Sequence, residues 1–322
     1  QVMMLLMVLT IAISGGSSVL VAHAFGAGDQ QRVREVAGRS LLIMVLTSLV
    51  IVMPLGLLVS RALLVALGAK PEVVALGTPY LHVLFLGSVF PMFNIGVTRV
   101  LLGVGKTRVS LMLLILVNVL NVTFNYLLIF GIGPLPALGV TGAALGTVLA
   151  HAVGSAAAVW IVHTPRGPVN VRYKDARRLD WTLLRKIMYL GGPRSLQGVV
   201  RNVSRLITIR VITLLPEATR VLSAYTVGMQ VRMTSTFVGL AFMSAAMSRV
   251  GQNLGAKRPD RAVRSGWISA AMAAVLMSLV ALMLLLFPER IMSWFVKDRE
   301  VIAMGRVFFV VIALAEPIMA FA

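Results

Sequence analysis

Runs of twenty or more predominantly apolar residues recur from one end of this 322-residue chain to the other. A helix needs about 20 such residues to cross the ~30 Å hydrocarbon core of a bilayer. Inside that core a spanning segment must satisfy its own backbone hydrogen bonds. Nine segments of this kind can be read, at about 2–25, 41–67, 80–102, 109–130, 138–162, 187–215, 221–247, 266–287 and 301–322. The composition agrees, with 58% hydrophobic and 13% charged residues against about 45–50% and 25% in a soluble domain. The predicted fold class is all-α, a polytopic membrane protein. With no cysteine in the chain, disulfide frameworks, thiolate metal sites and Cys nucleophiles are excluded.

A net charge of +19 invites a nucleic-acid reading until its distribution is followed. The connections at 26–39, 99–108, 163–186 and 249–264 hold 18 of the 30 basic residues, and the alternate connections hold 7. By the positive-inside rule the first set is cytoplasmic, and the basicity is mostly a topology signal with some affinity for anionic lipid heads. Charges spread over four short loops do not make the single basic face that nucleic acid requires, so no nucleic-acid partner is expected. Five arginines are left inside apolar segments: Arg194, Arg201, Arg205, Arg210 and Arg232. Among the 11 acidic residues, only Glu316 lies well inside a span.

The chain repeats itself. Phe25 to Arg32 reads against Leu254 to Arg261 at a separation of 229, Glu72 to Gly77 against Glu300 to Gly305 at 228, and Pro91 against Pro317 at 226. Three matches in order at nearly constant separation indicate duplication. The separation spans six segments, so both copies cross in the same sense, as a parallel repeat about an axis along the membrane normal. Counting through the repeat predicts two six-helix lobes related by a pseudo-two-fold. By the same count nine of the twelve helices are expected to be represented, with the first and the last two missing. The expected organisation is an N-lobe over 1–163 (helices 2–6), a cytoplasmic linker and interfacial lead-in over 164–186, and a C-lobe over 187–322 (helices 7–10).

Several polar constellations could carry function. Asn118, Asn121 and Asn125 fall within about a 60° arc of one helix. They suit either a cavity wall or bonding between neighbouring helices. Gly142 and Gly146 belong to a small-residue stripe that reads as close helix packing. His151 lies mid-span as a proton carrier or a satisfied structural histidine. In the seventh helix of the twelve-helix count, Arg194, Gln197, Arg201, Ser204, Arg205 and Thr208 share about 100° of surface. A lipid-facing Arg costs about 2.5–3.5 kcal/mol and an aliphatic residue returns only about 0.3–0.6. That face is therefore expected against protein or a wet cavity, and Arg210, on the opposite side, is expected to snorkel. No His/Asp/Glu set has metal spacing and no nucleophile sits beside a base, so no enzyme is predicted.

Five stretches appear in a familiar order: Ala24-Phe-Gly-Ala-Gly-Asp-Gln-Gln-Arg32, Asn118-Val-Leu-Asn-Val-Thr-Phe-Asn125 with its continuation to Gly131, Leu138-Gly-Val-Thr-Gly-Ala-Ala-Leu-Gly-Thr147, Val250-Gly-Gln-Asn-Leu-Gly-Ala256 and Leu314-Ala-Glu-Pro317. Together they resemble the multidrug and toxin extrusion (MATE) transporters of the wider exporter and flippase superfamily. The resemblance implies a twelve-helix antiporter of the bacterial-type plasma membrane that expels organic compounds in exchange for H⁺ or Na⁺. It implies no cofactor beyond that ion, a small organic substrate, contact with membrane lipids, and a monomer. There are departures. Many relatives carry an acid in the first helix, which is absent here, and some carry a second acid where this chain has Asn125. Arg232-Met233-Thr234-Ser235 stands where many read Arg-hydrophobic-Glu-Ser, Leu102-Gly-Val-Gly-Lys106-Thr107 replaces Arg-Gly-hydrophobic-Gly-Asp-Thr, and Met319 stands where some have an acid.

The expected function is proton- or sodium-coupled efflux by alternating access. Glu316 is the candidate coupling carboxylate, with Asn118, Asn121, Asn125, Gln197, Arg201, Arg205, Arg232 and Thr234 lining the cavity. The alternative within transport is a flippase for an anionic lipid-linked precursor, since guanidinium forks suit pyrophosphate oxygens. A non-transporting membrane paralogue is the alternative from another class.

Overall fold

The computed structural model describes residues 2–66, 68–131, 136–164, 167, 169–176 and 180–319, without the side chains of 2–8, 173, 176 and 194. The linker arginines Arg166, Arg177 and Arg178 and the side chain of Arg194 thus lie outside the described residues. Among the described residues, each of the nine apolar segments is largely helical. They are α1 (Val2–Gly26), α2 (Gln30–Thr47) continuing through a π-helical turn (Ser48–Val52) into α3 (Met53–Ala66), and the pair α4 (Pro71–Leu86) and α5 (Val89–Gly103). Next come α6 (Thr107–Phe130) and α7 (Gly139–His163), then, past a four-residue α8 (Tyr173–Ala176), α9 (Trp181–Ile212). The rest are α10 (Ala218–Gly255), α11 (Pro259–Leu286), a short α12 (Pro288–Ser293) and α13 (Arg299–Met319).

Six described stretches are long and apolar enough to cross a membrane, and α4 with α5, bent by 48°, makes a seventh. The helices α9 and α10 have the length, at 32 and 38 residues, but their arginines dilute the apolar character. The usual burial pattern is inverted. On α6, Leu111, Met112, Leu114 and Ile115 face outward, while Ser14, Ser17, Ser40, Ser48 and Ser60 are buried. In lipid the outside is the apolar solvent, and small polar residues let helices approach closely.

Two irregularities have local causes. Pro54 cannot donate to the carbonyl four residues back, and the ladder just before it loosens into the π-turn, closed by the Met53 amide bonding the Ser48 carbonyl. The break at Gly87–Ser88 bends α4 against α5, and Gly87 is there because a Cβ would collide with the Val148 side chain.

The chain divides into two compact units, residues 1–197 and 198–322, so the division falls inside α9. The reason lies in the first turns of that helix. Leu183 and Ile187 are buried in the core of the first unit with Val33, Val36, Val169 and Val171. Gly16 and Gly191 let α1 and α9 cross almost in backbone contact: a Cβ on Gly16 would strike the Ile187 carbonyl, and one on Gly191 the Ala12 carbonyl. The stretch 181–186, expected as an interfacial lead-in, is therefore continuous with α9. Its base is fixed by Asp180, which accepts from the Leu183 amide at 3.0 Å and from Arg39 Nη1 at 2.7 Å. In the second unit α10, α11, α12 and α13 contribute Ala224, Leu284, Met292, Phe309 and Ile312 to one buried core.

The duplication reaches the helix ends. The helices α1 and α10 stop at Gly26 and Gly255, α2 and α11 start at Gln30 and Pro259, and α4 and α13 start at Pro71 and Arg299. The copies differ where the π-turn and the break interrupt the first one. The second copy runs α-helical through Leu286 and through Met319, with Pro317 inside α13.

Candidate functional site

In the second unit, three helices each present one stripe at helical spacing to a cavity of about 300 Å³. From α9 come Arg201, Ser204, Arg205 and Thr208, and from α10 Tyr225, Met229 and Arg232. The α13 stripe supplies Phe308, Val311, Ile312 and Ala315. Residues three, four and seven apart lie on one helix face, which is why sequence spacing already grouped the first set. Aromatic packing shapes one wall: Tyr225 and Phe308 meet edge to face at 5.5 Å. Gly228 makes room for the Phe308 ring, which a Cβ would strike.

Glu316 continues the α13 stripe one turn past Ile312 and is buried, at 1% exposure. Its Oε2 has no hydrogen-bond partner among the described residues. The nearest cation in effect is Arg232, whose charge acts on it through space. Arg232 instead donates from Nη2 to the Met319 sulfur at 2.9 Å, and a thioether is a weak acceptor. Arg201 and Arg205 take part in no ion pair or hydrogen bond of their side chains among the described residues. The cavity therefore carries three guanidinium groups and, among its lining residues, no carboxylate.

A second cavity, of about 240 Å³, lies in the first unit where the π-turn and the α4–α5 break come together. Ser48 and Ser88, one from each irregularity, share a 2.8 Å hydrogen bond. Thr147 and His151 line this cavity from α7. Asn94 donates to His151 Nδ1 at 3.2 Å and to the His151 carbonyl at 2.9 Å, and accepts from Ser155 Oγ at 3.2 Å. The His151 carbonyl can only accept, so the Asn94 atom facing it is the nitrogen, and a neutral His151 ring accepting at Nδ1 carries its hydrogen on Nε2. Neither Asn94 nor Ser155 stands out in the sequence, since one amide and one hydroxyl in apolar helices carry no pattern.

The other sequence-selected residues are distributed as follows. Asn121 donates to Thr147 at 3.0 Å and Asn125 to Asn121 at 3.1 Å, so these two form a chain between α6 and α7. Gly146 gives them room, because a Cβ there would meet Asn125. Asn118 is exposed and donates to the Leu114 carbonyl of its own helix. Gln197 is exposed on α9 in the first unit, and Arg210 is exposed as well. Thr234 is exposed on α10. It is two residues from Arg232, about 200° around the helix, and so does not join the arginine stripe.

Among known proteins, the MatE family model matches residues 1–127 and 193–322, covering most of both repeat copies. The chain belongs to the MatE family. A probable multidrug resistance protein NorM of Bradyrhizobium diazoefficiens is 30% identical over 271 residues, covering 84% of this chain and 57% of the relative. The Thermotoga maritima protein of the same name is 26% identical over 309 residues, covering 95% and 65%. This MatE chain thus spans about three-fifths of the length of these relatives. A solved outward-facing MATE multidrug resistance transporter of the MOP superfamily shares the fold, with a TM-score of 0.82 at 20% identity over 99% of this chain and 72% of that one. The chain is a multi-pass protein of the plasma membrane. Within the MatE match, the asparagines of α6 fall in the first block, and Arg201, Arg205, Arg232 and Glu316 fall in the second.

Proposed function

We propose that this chain forms the translocating part of an ion-coupled exporter of organic compounds, working by alternating access with H⁺ or Na⁺ in exchange and as a monomer. The observation that carries the reading is Glu316, a buried carboxylate with an unpartnered oxygen beside a substrate-sized cavity. A group that can bind a cation there shifts the balance between conformations by its differential affinity for them. The names of the two NorM relatives support the cargo class. In this reading the asparagine chain of α6, with Asn118, forms a polar wall in the first unit. Arg201, Arg205 and Arg232 supply polar contacts along the substrate path in the second unit, which Gln197 and Thr234, expected there from the sequence, do not line. No resident cofactor is needed. Glu316→Gln in the full-length protein tests the proposal by efflux measured across pH and Na⁺ gradients. Abolished or ion-independent efflux is expected, and wild-type efflux with unchanged ion dependence rules the coupling role out.

The arginine-lined cavity favours a second reading, a flippase for an anionic lipid-linked precursor. A non-transporting paralogue has no such support.

A further inference from the structure

From the geometry of the second unit we infer that the cavity between α9, α10 and α13 is a binding site for a phosphate-bearing anion, held by Arg201, Arg205 and Arg232. The inference rests on the transporter reading and names the chemical class that one of its sites accepts.

Three guanidinium groups border about 300 Å³ of space with no carboxylate among the lining residues. Arg201 and Arg205 are one helical turn apart, and neither has an ion pair among the described residues. Arg232 enters from the facing helix and holds only the Met319 sulfur. Uncompensated charges in a bilayer-embedded protein must find a counter-charge or water, and three guanidinium groups around one space share one. Their planar forks match the paired oxygens of phosphate or pyrophosphate, which accept bidentate bonds. The remaining walls suit the rest of such a molecule. Ser204 offers a hydroxyl, Tyr225 a phenol, and the Phe308 ring a flat apolar surface held in place by Gly228.

Glu316 sets the sign of a coupling. Its carboxylate lies within electrostatic reach of Arg232 and opposes the arriving anion, and neutralising it leaves the three cations unopposed. Anion affinity should therefore rise when Glu316 loses its charge, and an ion that neutralises Glu316 favours anion binding. Linkage makes that coupling reciprocal. Among the described residues, the charged and titratable groups lining the cavity are the three arginines and Tyr225, with Glu316 one turn past Ile312 on α13.

The test is binding of inorganic pyrophosphate to the intact protein in nanodiscs of phosphatidylcholine alone, by calorimetry. Arg201→Gln, Arg205→Gln and Arg232→Gln should each weaken binding about tenfold or more. Arg205→Lys should weaken it less, since it keeps the charge and loses the fork. Glu316→Gln should tighten binding severalfold, a gain that misfolding cannot produce. A second arm replaces part of the lipid with phosphatidylglycerol. Weaker pyrophosphate binding there supports the site with a lipid phosphate as its occupant, and unchanged binding supports it with a soluble one. Absent binding, binding indifferent to all three arginine substitutions, or Glu316→Gln binding no tighter than wild type overturns the inference. Normal ion-dependent efflux of an organic cation together with no pyrophosphate binding leaves the exporter standing and sinks only the anion site. Arginine-dependent pyrophosphate binding without ion-coupled efflux does the reverse.

Discussion

Gly28 and Lys257, separated by 229 residues, hold the same left-handed backbone, at φ of +75° and +56°. The bonds around them match one for one. Gly28 N–H donates to the Phe25 carbonyl and Asp29 N–H to Ala24, as Lys257 donates to Leu254 and Arg258 to Asn253. Gly105, at φ +76°, closes α5 the same way, its N–H bonding Leu102 and that of Lys106 bonding Leu101. This double bond from two successive amides back into the last turn is a Schellman cap. It turns the chain sharply at three connections that the charge distribution assigns to the cytoplasmic side. Gly28→Ala should cost about 1 kcal/mol, because a Cβ is strained in this conformation. Lys257→Gly should stabilise by about 0.5 kcal/mol, since relieved strain slightly exceeds glycine's added unfolded-state entropy. Thermal unfolding in detergent reads both, and opposite signs are the expected result.

The bond between Arg39 and Asp180 ties α2 to the start of α9. The backbone bond from Leu183, helped by the Arg39 guanidinium, holds the Asp180 carboxyl below the usual carboxylate range. A depressed folded-state pKa contributes stability above the unfolded value of about 3.9, lost as pH falls through the folded value. Asp180→Asn keeps the cap and removes the charge, so it should flatten the acid limb of the stability profile below about pH 4. Asp180→Ala also removes the cap, at about 1 kcal/mol. An unchanged acid limb in Asp180→Asn would remove Asp180 from the account.

At the crossing of α1 and α9, Gly16→Val and Gly191→Val should each destabilise by at least about 2 kcal/mol. The obstructing atoms are the Ile187 and Ala12 carbonyls, backbone that cannot rotate aside. Gly192→Ala is the control, having open space around its Cβ position. Equal melting temperatures for Gly192→Ala and Gly191→Val would contradict the close approach.

In the first unit, Asn94→Ala should cost more than His151→Phe. Removing Asn94 leaves the half-buried His151 Nδ1 without its donor, at about 1–3 kcal/mol for a polar group left alone, while Ser155 keeps its bond to the Phe90 carbonyl. Removing the imidazole leaves Asn94 still bonded to the backbone carbonyl and to Ser155. The comparison is read from melting temperatures of the two purified variants, and the reverse order would show that the ring, not the amide, organises the cluster.

Much was legible without coordinates, because the bilayer and helix periodicity are strong constraints. Apolar run length dictated the helices, since runs of about twenty residues suit a spanning helix and are about twice the length of a barrel strand. The 229-residue repeat located matching helix ends to the residue, because a capped turn needs Gly-Ala-Gly or its equivalent at one place. The 100° helical step grouped Arg201, Ser204, Arg205 and Thr208, which border one cavity while each remains exposed. Other features depended on tertiary structure, because they join residues from different helices. Tyr225 and Phe308, which no sequence pattern singles out, form one cavity wall because α10 and α13 pack together with Gly228 leaving room for the ring. Asn94 became the organiser of His151 only across two packed helices. The first turns of α9 joined the first unit because Leu183 and Ile187 found a core there and two glycines let the backbones touch. Which charges would lack partners was likewise a matter of packing: spacing along one helix orders its own side chains, and only the neighbouring helices decide what those side chains meet.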